Sequence, residues 1–276
     1  MSDLLEYPKI SLVVPTFNSE KYLDETLRSI VDQKYPNLEL IVVDGKSEDS
    51  TLDIVAEYQA NIALLISEVD EGPYDAINKG FSASTGELMG WLNADDSLLP
   101  KSLFLVGSLF RNLVDVHWIT GVPSKMDARG IIFKSSLRRL WKRSNLLEFE
   151  KGIPQQESTF WRRSIWEKSG GKLDTSAGIA ADYELWCRFF KFTDLVSVNA
   201  YLGSFRKHLT NWSIREKEAY LENCETIRKK YLDEYARLFE RKWILKESVR
   251  EVFYNFEKKE YKVFHRSGTG LFKKYL

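Results

Sequence analysis

The sequence predicts an α/β protein: a mainly parallel central sheet flanked by helices, with a helical extension at the C-terminal end. Three observations lead there. From residue 8 to residue 96, short β-branched apolar runs alternate with segments of helical periodicity, the pattern of right-handed βαβ units. Two of these runs stop at acids, Asp44 and the pair Asp95-Asp96, which a parallel sheet brings to one edge. From residue 205 onward the balance turns basic, with 18 Lys+Arg against 11 Asp+Glu, although the 276-residue chain carries no net charge.

Each element follows from its residues. Residues 8–15 (PKISLVVP) and 38–44 (LELIVVD) are apolar runs of strand length that end at loops. Between them Asn18, Ser19 and Glu20 precede Leu23, Leu27, Ile30 and Val31, which continue one helical face. After Asp44, residues 45–49 make a polar turn, Ser50 can cap, and Leu52, Ile54 and Val55 enter a second helix. Residues 63–66 (ALLI) read as a third strand, 74–84 as a third helix, and 86–92 (GELMGWL) as a buried strand leading to Asn93-Ala94-Asp95-Asp96. A further helix starts near Pro100. Downstream, Tyr220, Leu221, Cys224 and Ile227, then Tyr231, Leu238, Trp243 and Leu245, make residues 214–260 read as two or three amphipathic helices.

Composition narrows the class. No apolar run approaches the length of a membrane-spanning helix. The start, MSDLLE, is too acidic and too short of apolar length for a signal peptide. Cys187 and Cys224 lack metal-ligand or redox spacing and read as ordinary thiols of a reducing compartment. The expected location is cytoplasmic, with peripheral attachment at the inner face of the cell membrane as the variant. Two readings stand for the basic residues of 205–276 and of the cluster 138–143 (RRLWKR). The favoured one is a helical cap with solvated charges; the other is a surface for an anionic membrane or a lipid-linked acceptor. Nothing resembles a nucleic-acid module, and the oligomeric state stays open between monomer and homo-oligomer.

The strand-end acids carry the chemistry. Adjacent carboxylates repel and call for a cation; at a sheet edge they can hold a hard divalent ion, and that ion can hold phosphates. A solvated acidic turn before the next helix is the competing reading, and the run alone leaves both open.

Taken in order, residues 13–18 (VVPTFN), 42–51 (VVDGKSEDST), 75–80 (DAINKG), 92–96 (LNADD), 155–163 (QQESTFWRR) and 181–186 (ADYELW) resemble family 2 glycosyltransferases, over about residues 8 to 215. The resemblance implies the Rossmann-like GT-A fold. Residues 1–204 would be the transferase domain, with a nucleotide-sugar half at about 8–115 and an acceptor half at about 116–204, and 205–276 the basic extension. It implies inverting transfer from a UDP-, GDP- or dTDP-sugar to the hydroxyl of a glycan or lipid-linked acceptor, in polysaccharide or glycolipid assembly, with Mn²⁺ or Mg²⁺.

Site residues follow from the same resemblance. Pro15 and Thr16 would contact base or ribose, with Phe17 and Asn18 closing that pocket. Asp44 would accept from a base N–H or ribose hydroxyls. Gly72 and Asp75 in the loop, then Asn78 and Lys79 in the following helix, would line the nucleotide and approach phosphate. Helix capping by Asp75 and a solvated Lys79 is the alternative. Asn93 and Ala94 complete the motif in which Asp95 and Asp96 divide ribose and metal contacts. His208 aligns with a family histidine that can approach metal or diphosphate, a structural histidine being its other reading. Asp182 is the candidate general base, with a helix N-cap as its other reading and Glu184 as the fallback. Gln156, Glu157 and Trp161 fall on the acceptor side; Trp161, Trp186 and Trp212 either stack on sugars or pack in the core. Two departures stand out: Asn93 where an aspartate is frequent, and Ala181 where an acid usually precedes the base.

Rival classes explain less. A glycoside hydrolase needs a carboxyl pair across one bond and leaves the strand-end acids without a role. A nucleotidyltransferase calls for a glycine-rich basic loop after the first strand, where PTFNS stands. The non-enzyme alternative is a nucleotide-sugar or glycan-binding protein weakened at Asn93 and Ala181.

Overall fold

A computed structural model describes residues 7–135, 141, 152–238, 248–255, 260–267 and 272–275. Its first half follows the expected order: β1 (Ile10–Thr16), α1 (Leu23–Val31), β2 (Leu38–Asp44), α2 (Thr51–Glu57), β3 (Ile62–Ser67), α3 (Pro73–Ala83) and β4 (Leu88–Trp91). β1 pairs in parallel with β2, from Ile10↔Leu38 to Thr16↔Asp44, and with β4 from Ile10↔Leu88 to Val13↔Trp91. β3 extends the parallel set beyond β2. Every residue of β1 is buried, as expected of a parallel strand covered on both faces. This register brings the carboxyl ends of β1, β2 and β4 to one edge, so Asp44 and the Asn93–Asp96 turn lie there on either side of β1.

The second half is less regular. It runs through β5 (Ser97–Leu98), α4 (Ser102–Asn112), β6 (Trp118–Thr120), β7 (Ser124–Met126), β8 (Ile132–Ser135), a 3₁₀ turn (Gln156–Ser158), β9 (Thr159–Arg162) and α5 (Arg163–Lys168). A second 3₁₀ segment (Thr175–Ala180) leads to α6 (Ala181–Phe190), β10 (Val196–Val198), β11 (Gly203–Arg206), α7 (Trp212–Arg215) and α8 (Lys217–Leu238). The chain then forms β12 (Ser248–Asn255), β13 (Glu260–Ser267) and β14 (Phe272–Tyr275). The large sheet has the order β14-β13-β12-β10-β6-β9-β4-β1-β2-β3, with β9 antiparallel to both β4 and β6. A small sheet, β5-β11-β7-β8, lies alongside.

Alternation along β1 divides the core. Leu12 and Val14 face one side with Leu27 of α1 and Val106 of α4. Val13 faces the other, with Ile77, Phe81 and a cluster of indoles. Trp91, Trp118, Trp161 and Trp186 are buried there, the rings of Trp118 and Trp186 stacked at 5.6 Å. Of the two readings for Trp161 and Trp186 this favours core packing, because both rings are enclosed by other aromatic side chains.

The C-terminal region brings a second correction. α8 fits the expected amphipathic helix, with Cys224, Ile227 and Tyr231 buried against the indole side. Beyond it, β12 pairs in parallel with β10 and turns into the antiparallel pair β12–β13, where helix was expected to residue 260. The local reason is composition. Val249, Val252, Phe253 and Tyr254, then Tyr261, Val263 and Phe264, are residues that favour pleated surfaces. Residues 239–247, with Trp243 and Leu245, lie outside the described residues. So does the basic cluster 138–143, apart from the buried Trp141. Among the described residues, no helix is long and apolar enough to cross a membrane.

Candidate active site

Asp44 closes β2 and is fully buried. Its carboxylate accepts from the backbone N–H groups of Lys46 and Ser47, both at 3.1 Å, from Ser67 Oγ at 2.8 Å, and from Thr16 Oγ1 at 3.3 Å. These donors fix the loop that follows β2. Asn18, at φ 46° just past β1, stitches that loop to the next: its Oδ1 accepts from Glu48 N–H and its own N–H donates to Ser47 Oγ, both at 2.9 Å. Pro15 and Thr16 are buried at the strand end, and Phe17, immediately beyond, is 61% exposed. A Cβ on Gly45 would stand 2.6 Å from Asp70 Oδ2, so the Asp70 side chain packs close over the backbone just after Asp44. Asp70 then accepts from Gly72 N–H at 2.9 Å, and Gly72, at φ 114°, opens α3.

Two residues expected at the nucleotide do other work. The Asn78 amide is engaged at both ends by Leu173, donating to its carbonyl at 3.1 Å and accepting from its N–H at 2.7 Å. It ties α3 to the later half of the chain. Lys79 Nζ is held by Glu68 at 3.0 Å, Asp75 at 3.2 Å and the Val69 carbonyl at 2.8 Å. Asp75 also accepts from Glu71 N–H at 3.1 Å, which favours its capping role. Lys79 is therefore paired with acids beside its own loop, and an approach to phosphate would require it to leave them.

The acidic pair divides. Asp96 is fully buried; its Oδ1 accepts from Arg206 N–H at 2.7 Å and its Oδ2 from the Asn93 amide at 3.4 Å. Burial, with the charges of Asp95 and Glu157 adding, raises its carboxyl well above the ordinary aspartate range. Asp95 is 28% exposed at the side chain, and its Oδ2 meets His208 Nε2 at 2.8 Å and Asn211 Nδ2 at 3.0 Å. His208 is oriented by Thr210 Oγ1 at Nδ1, 2.8 Å, and by the Tyr22 ring at 4.7 Å. A hard oxygen and an imidazole nitrogen thus converge, donors that suit Mg²⁺ or Mn²⁺. Among the described residues, no three His, Cys, Asp or Glu side chains gather as a metal site. Of the expected Asp95, Asp96 and His208, the structure brings Asp95 and His208 together, while the Asp96 carboxylate is buried beneath the turn against Arg206 N–H. Such a sparse pair fits an ion completed by diphosphate oxygens.

Arg206 holds this turn, and the sequence reading missed it. Fully buried, it donates from Nε to the Asp95 carbonyl at 2.7 Å, pairs with Glu25 at 2.8 Å, and lies over the Tyr22 ring at 4.9 Å. Ala94 is buried in the same turn, where its carbonyl accepts from Thr26 Oγ1 at 2.9 Å. Asn211 was missed as well. Its side chain joins Asp95 to His208, a job that sequence spacing from His208 could have suggested.

On the other side, Gln156 and Glu157 are buried in the 3₁₀ turn before β9. Gln156 Nε2 donates to the Trp91 carbonyl at 2.5 Å. Burial, then the charges of Asp182 and Asp95, push the Glu157 carboxyl up to about 8 against the pull of Lys125. Asp182 sits in the first turn of α6, one residue past its start, with Oδ1 accepting from Tyr183 N–H at 2.8 Å. The cap position belongs to Ala180, so Asp182 is not the N-cap. Burial raises its carboxyl to about 6. Glu184, two residues on, lies about 200° around the helix. It is buried between Arg188 Nε at 2.8 Å and Tyr231 OH at 2.6 Å, which corrects its place as fallback base. Trp212 keeps an exposed face, with its ring 6.0 Å from that of Tyr74.

This geometry agrees with the comparisons. The Glycosyl transferase family 2 model matches residues 11–162, more than half of the chain. The chain is a family 2 glycosyltransferase. The transferase is 30% identical over 195 residues to a PGL/p-HBAD biosynthesis glycosyltransferase of Mycobacterium tuberculosis, covering 69% of this chain and 73% of that one. It is 26% identical over 236 residues to an uncharacterized glycosyltransferase of Rickettsia typhi, covering 77% and 69%. Its GT-A fold is that of S. aureus TarS in complex with UDP-GlcNAc, at a TM-score of 0.64 and 18% identity over 85% of this chain and 74% of that one. The mannosyltransferase PcManGT of Pyrobaculum calidifontis, in complex with GDP-Man and Mn²⁺, superposes with a TM-score of 0.58 at 20% identity, covering 84% and 76%.

Proposed function

We propose that the transferase moves a sugar from a nucleoside diphosphate sugar to an acceptor hydroxyl with inversion, Asp182 acting as general base. One observation carries the reading: the register of β1 with β2 and β4 sets the buried Asp44 and the Asp95 turn at one sheet edge, with His208 Nε2 2.8 Å from Asp95 Oδ2, so groups suited to the nucleoside and to the diphosphate stand together. The ligands of the two solved neighbours support a nucleotide-sugar donor.

In this mechanism the strand-end loops receive the nucleotide. A base N–H or ribose hydroxyl replaces one of the hydroxyl donors now on Asp44, and Phe17 covers the pocket. The transferred sugar lies between the Asp95 turn and α6. As the acceptor oxygen bonds to the anomeric carbon, its proton passes to Asp182, and the bond to the leaving phosphate breaks with its electron pair remaining on the diphosphate. Asp182 needs no positive partner to stay ionised near neutral pH, because burial lifts it only to about 6. Asp95 and His208 would hold a divalent cation, Mn²⁺ or Mg²⁺, which when bound supplies Lewis-acid stabilisation of the leaving diphosphate. Asn211 and Thr210 keep the imidazole in place. Trp212 offers an apolar ring face to an acceptor. The acceptor class, a glycan or lipid-linked saccharide used at the cytoplasmic side of the cell envelope, rests on the family resemblance and on the relative in PGL/p-HBAD biosynthesis.

The test is a panel of UDP-, GDP- and dTDP-sugars with Mn²⁺, scored for thermal stabilisation and for diphosphate release with and without candidate acceptors. The anomeric configuration of the product is then read by NMR. Binding without release in any combination favours the non-catalytic binder. A product with the donor's configuration sinks the single displacement and the role of Asp182.

A further inference from the structure

The turn before β9 leaves acceptors unmet. Gln155 Oε1, Gln156 Oε1 and Glu157 Oε1 are all buried without a hydrogen-bond partner, the longest consecutive run of this kind among the described residues. Native structures leave few buried polar atoms unpaired, and such atoms commonly await water or a ligand. The other unpaired atoms are single hydroxyls or indole N–H groups of the aromatic core. The turn is also held firmly. Gln156 is fixed through its amide nitrogen to Trp91, and Ser158 Oγ accepts from Gly203 N–H and donates to the Gly203 carbonyl, both at 3.2 Å. β11 approaches so closely that a Cβ on Gly203 would fall 2.2 Å from the Glu157 carbonyl.

We infer that Gln156 and Glu157 read the hydroxyls of the transferred sugar, and that Glu157 is the specificity-determining residue of the site. The inference rests on the transferase reading. Sugar hydroxyls are donors, which is what successive unmet acceptors require. The position selects the donor's sugar over the acceptor's, because the 3₁₀ turn packs against β4 and β5, the strands on either side of the Asp95 turn, and Gln156 is bonded to the Trp91 carbonyl at the end of β4. In an in-line displacement the group between leaving phosphate and base is the one transferred. Glu157 is 3% exposed, so it is shielded from solvent competition. Burial also favours its uncharged form, which can both donate to and accept from one hydroxyl.

Calorimetry with Mn²⁺ tests this, using UDP, GDP and dTDP as bare diphosphates and UDP-glucose, UDP-galactose, UDP-GlcNAc, GDP-mannose and dTDP-glucose as sugar nucleotides. For the sugar nucleotide that wild-type protein holds more tightly than its bare diphosphate, Glu157→Ala should lose roughly tenfold or more of that preference. Affinity for the bare diphosphate should stay within about twofold. Glu157→Gln, which keeps size and both hydrogen-bonding roles, should retain most of the preference. Glu157→Asp withdraws the carboxyl without emptying the turn and should show the loss even if the alanine variant does not fold. Equal weakening of the bare diphosphate would assign Glu157 to the phosphate end and overturn the inference, as would an unchanged preference in both shortened variants. Wild-type protein that binds none of these nucleotides fails the transferase reading instead, before any variant is compared.

Discussion

Replacing Asp182 by asparagine should separate catalysis from stability in opposite directions. Asparagine keeps the shape and can still accept from Tyr183 N–H, but it cannot take a proton. A positioned general base contributes on the order of 10²- to 10⁴-fold, so transfer should fall by that much while nucleotide-sugar affinity is kept. The wild-type carboxyl, raised by burial from 3.8 to about 6, also fixes a pH profile. Below pH 6 the base becomes protonated, and kcat/KM should drop about tenfold per pH unit. An ordinary aspartate would place that limb near pH 4. The stability sign is the reverse. With the folded-state value above the unfolded one, the fold binds an extra proton between about pH 4 and 6, so stability falls as pH rises through that window. Above it the ionised side chain costs at most about 3 kcal/mol, from a shift of about two units. The neutral asparagine should therefore be more stable than wild type at pH 7.5 and equal to it near pH 4. Transfer assays from pH 4.5 to 8 and denaturant melts at both pH values read these outcomes. Unchanged turnover, or an acid limb that persists in Asp182→Asn, would remove Asp182 from the mechanism.

Three further outcomes follow from side chains already placed. Arg188→Ala strands the buried Glu184 carboxylate and should cost about 3–5 kcal/mol in denaturant unfolding; specific activity of the remaining folded protein should be unchanged, and a selective loss of kcat would return Glu184 to the site. Gly203→Ala drives a methyl into the Glu157 carbonyl, so thermal melts should report a loss of at least about 1–3 kcal/mol, and a neutral result would mean β11 can slide. Asn211→Ala removes the link between Asp95 and His208. Mn²⁺-dependent nucleotide binding should weaken about 10- to 100-fold, and indifference to both the mutation and the ion would refute the metal assignment.

Much of the architecture was legible because β1, β2 and β4 are covered on both faces. Their side chains read as continuous apolar runs, and parallel register then obliges Asp44 and Asp95 to share an edge. Asp182 became a candidate through the family motif alone. Glu184 could have been separated from it by local geometry alone, since Arg188 stands four residues on, at ion-pair spacing. Arg206 could not. In the run FRKHLTNWS an arginine reads as solvated, and its burial depends on Glu25, Asp95 and Tyr22, all distant in sequence. The indoles posed a similar problem, because a tryptophan's fate depends on which face of its strand meets the core. Residues 248–267 mix charge with aromatics in a way that suits either period, and pairing with β10 decides for strand.

Arg206 has a consequence for how the protein is made. Its backbone N–H grips Asp96 across 110 residues of chain, and its guanidinium grips α1 at Glu25. On the ribosome, β1 through β4 can emerge and pair while the Asn93–Asp96 turn still lacks its clamp. Until β11 arrives, Thr26 of α1 holds the backbone of that turn, but Asp95 lacks its partners and Asp96 has only the Asn93 amide. The nucleotide half is thus the first part synthesised and among the last to become competent, so a nascent or truncated chain should not sequester sugar nucleotide prematurely.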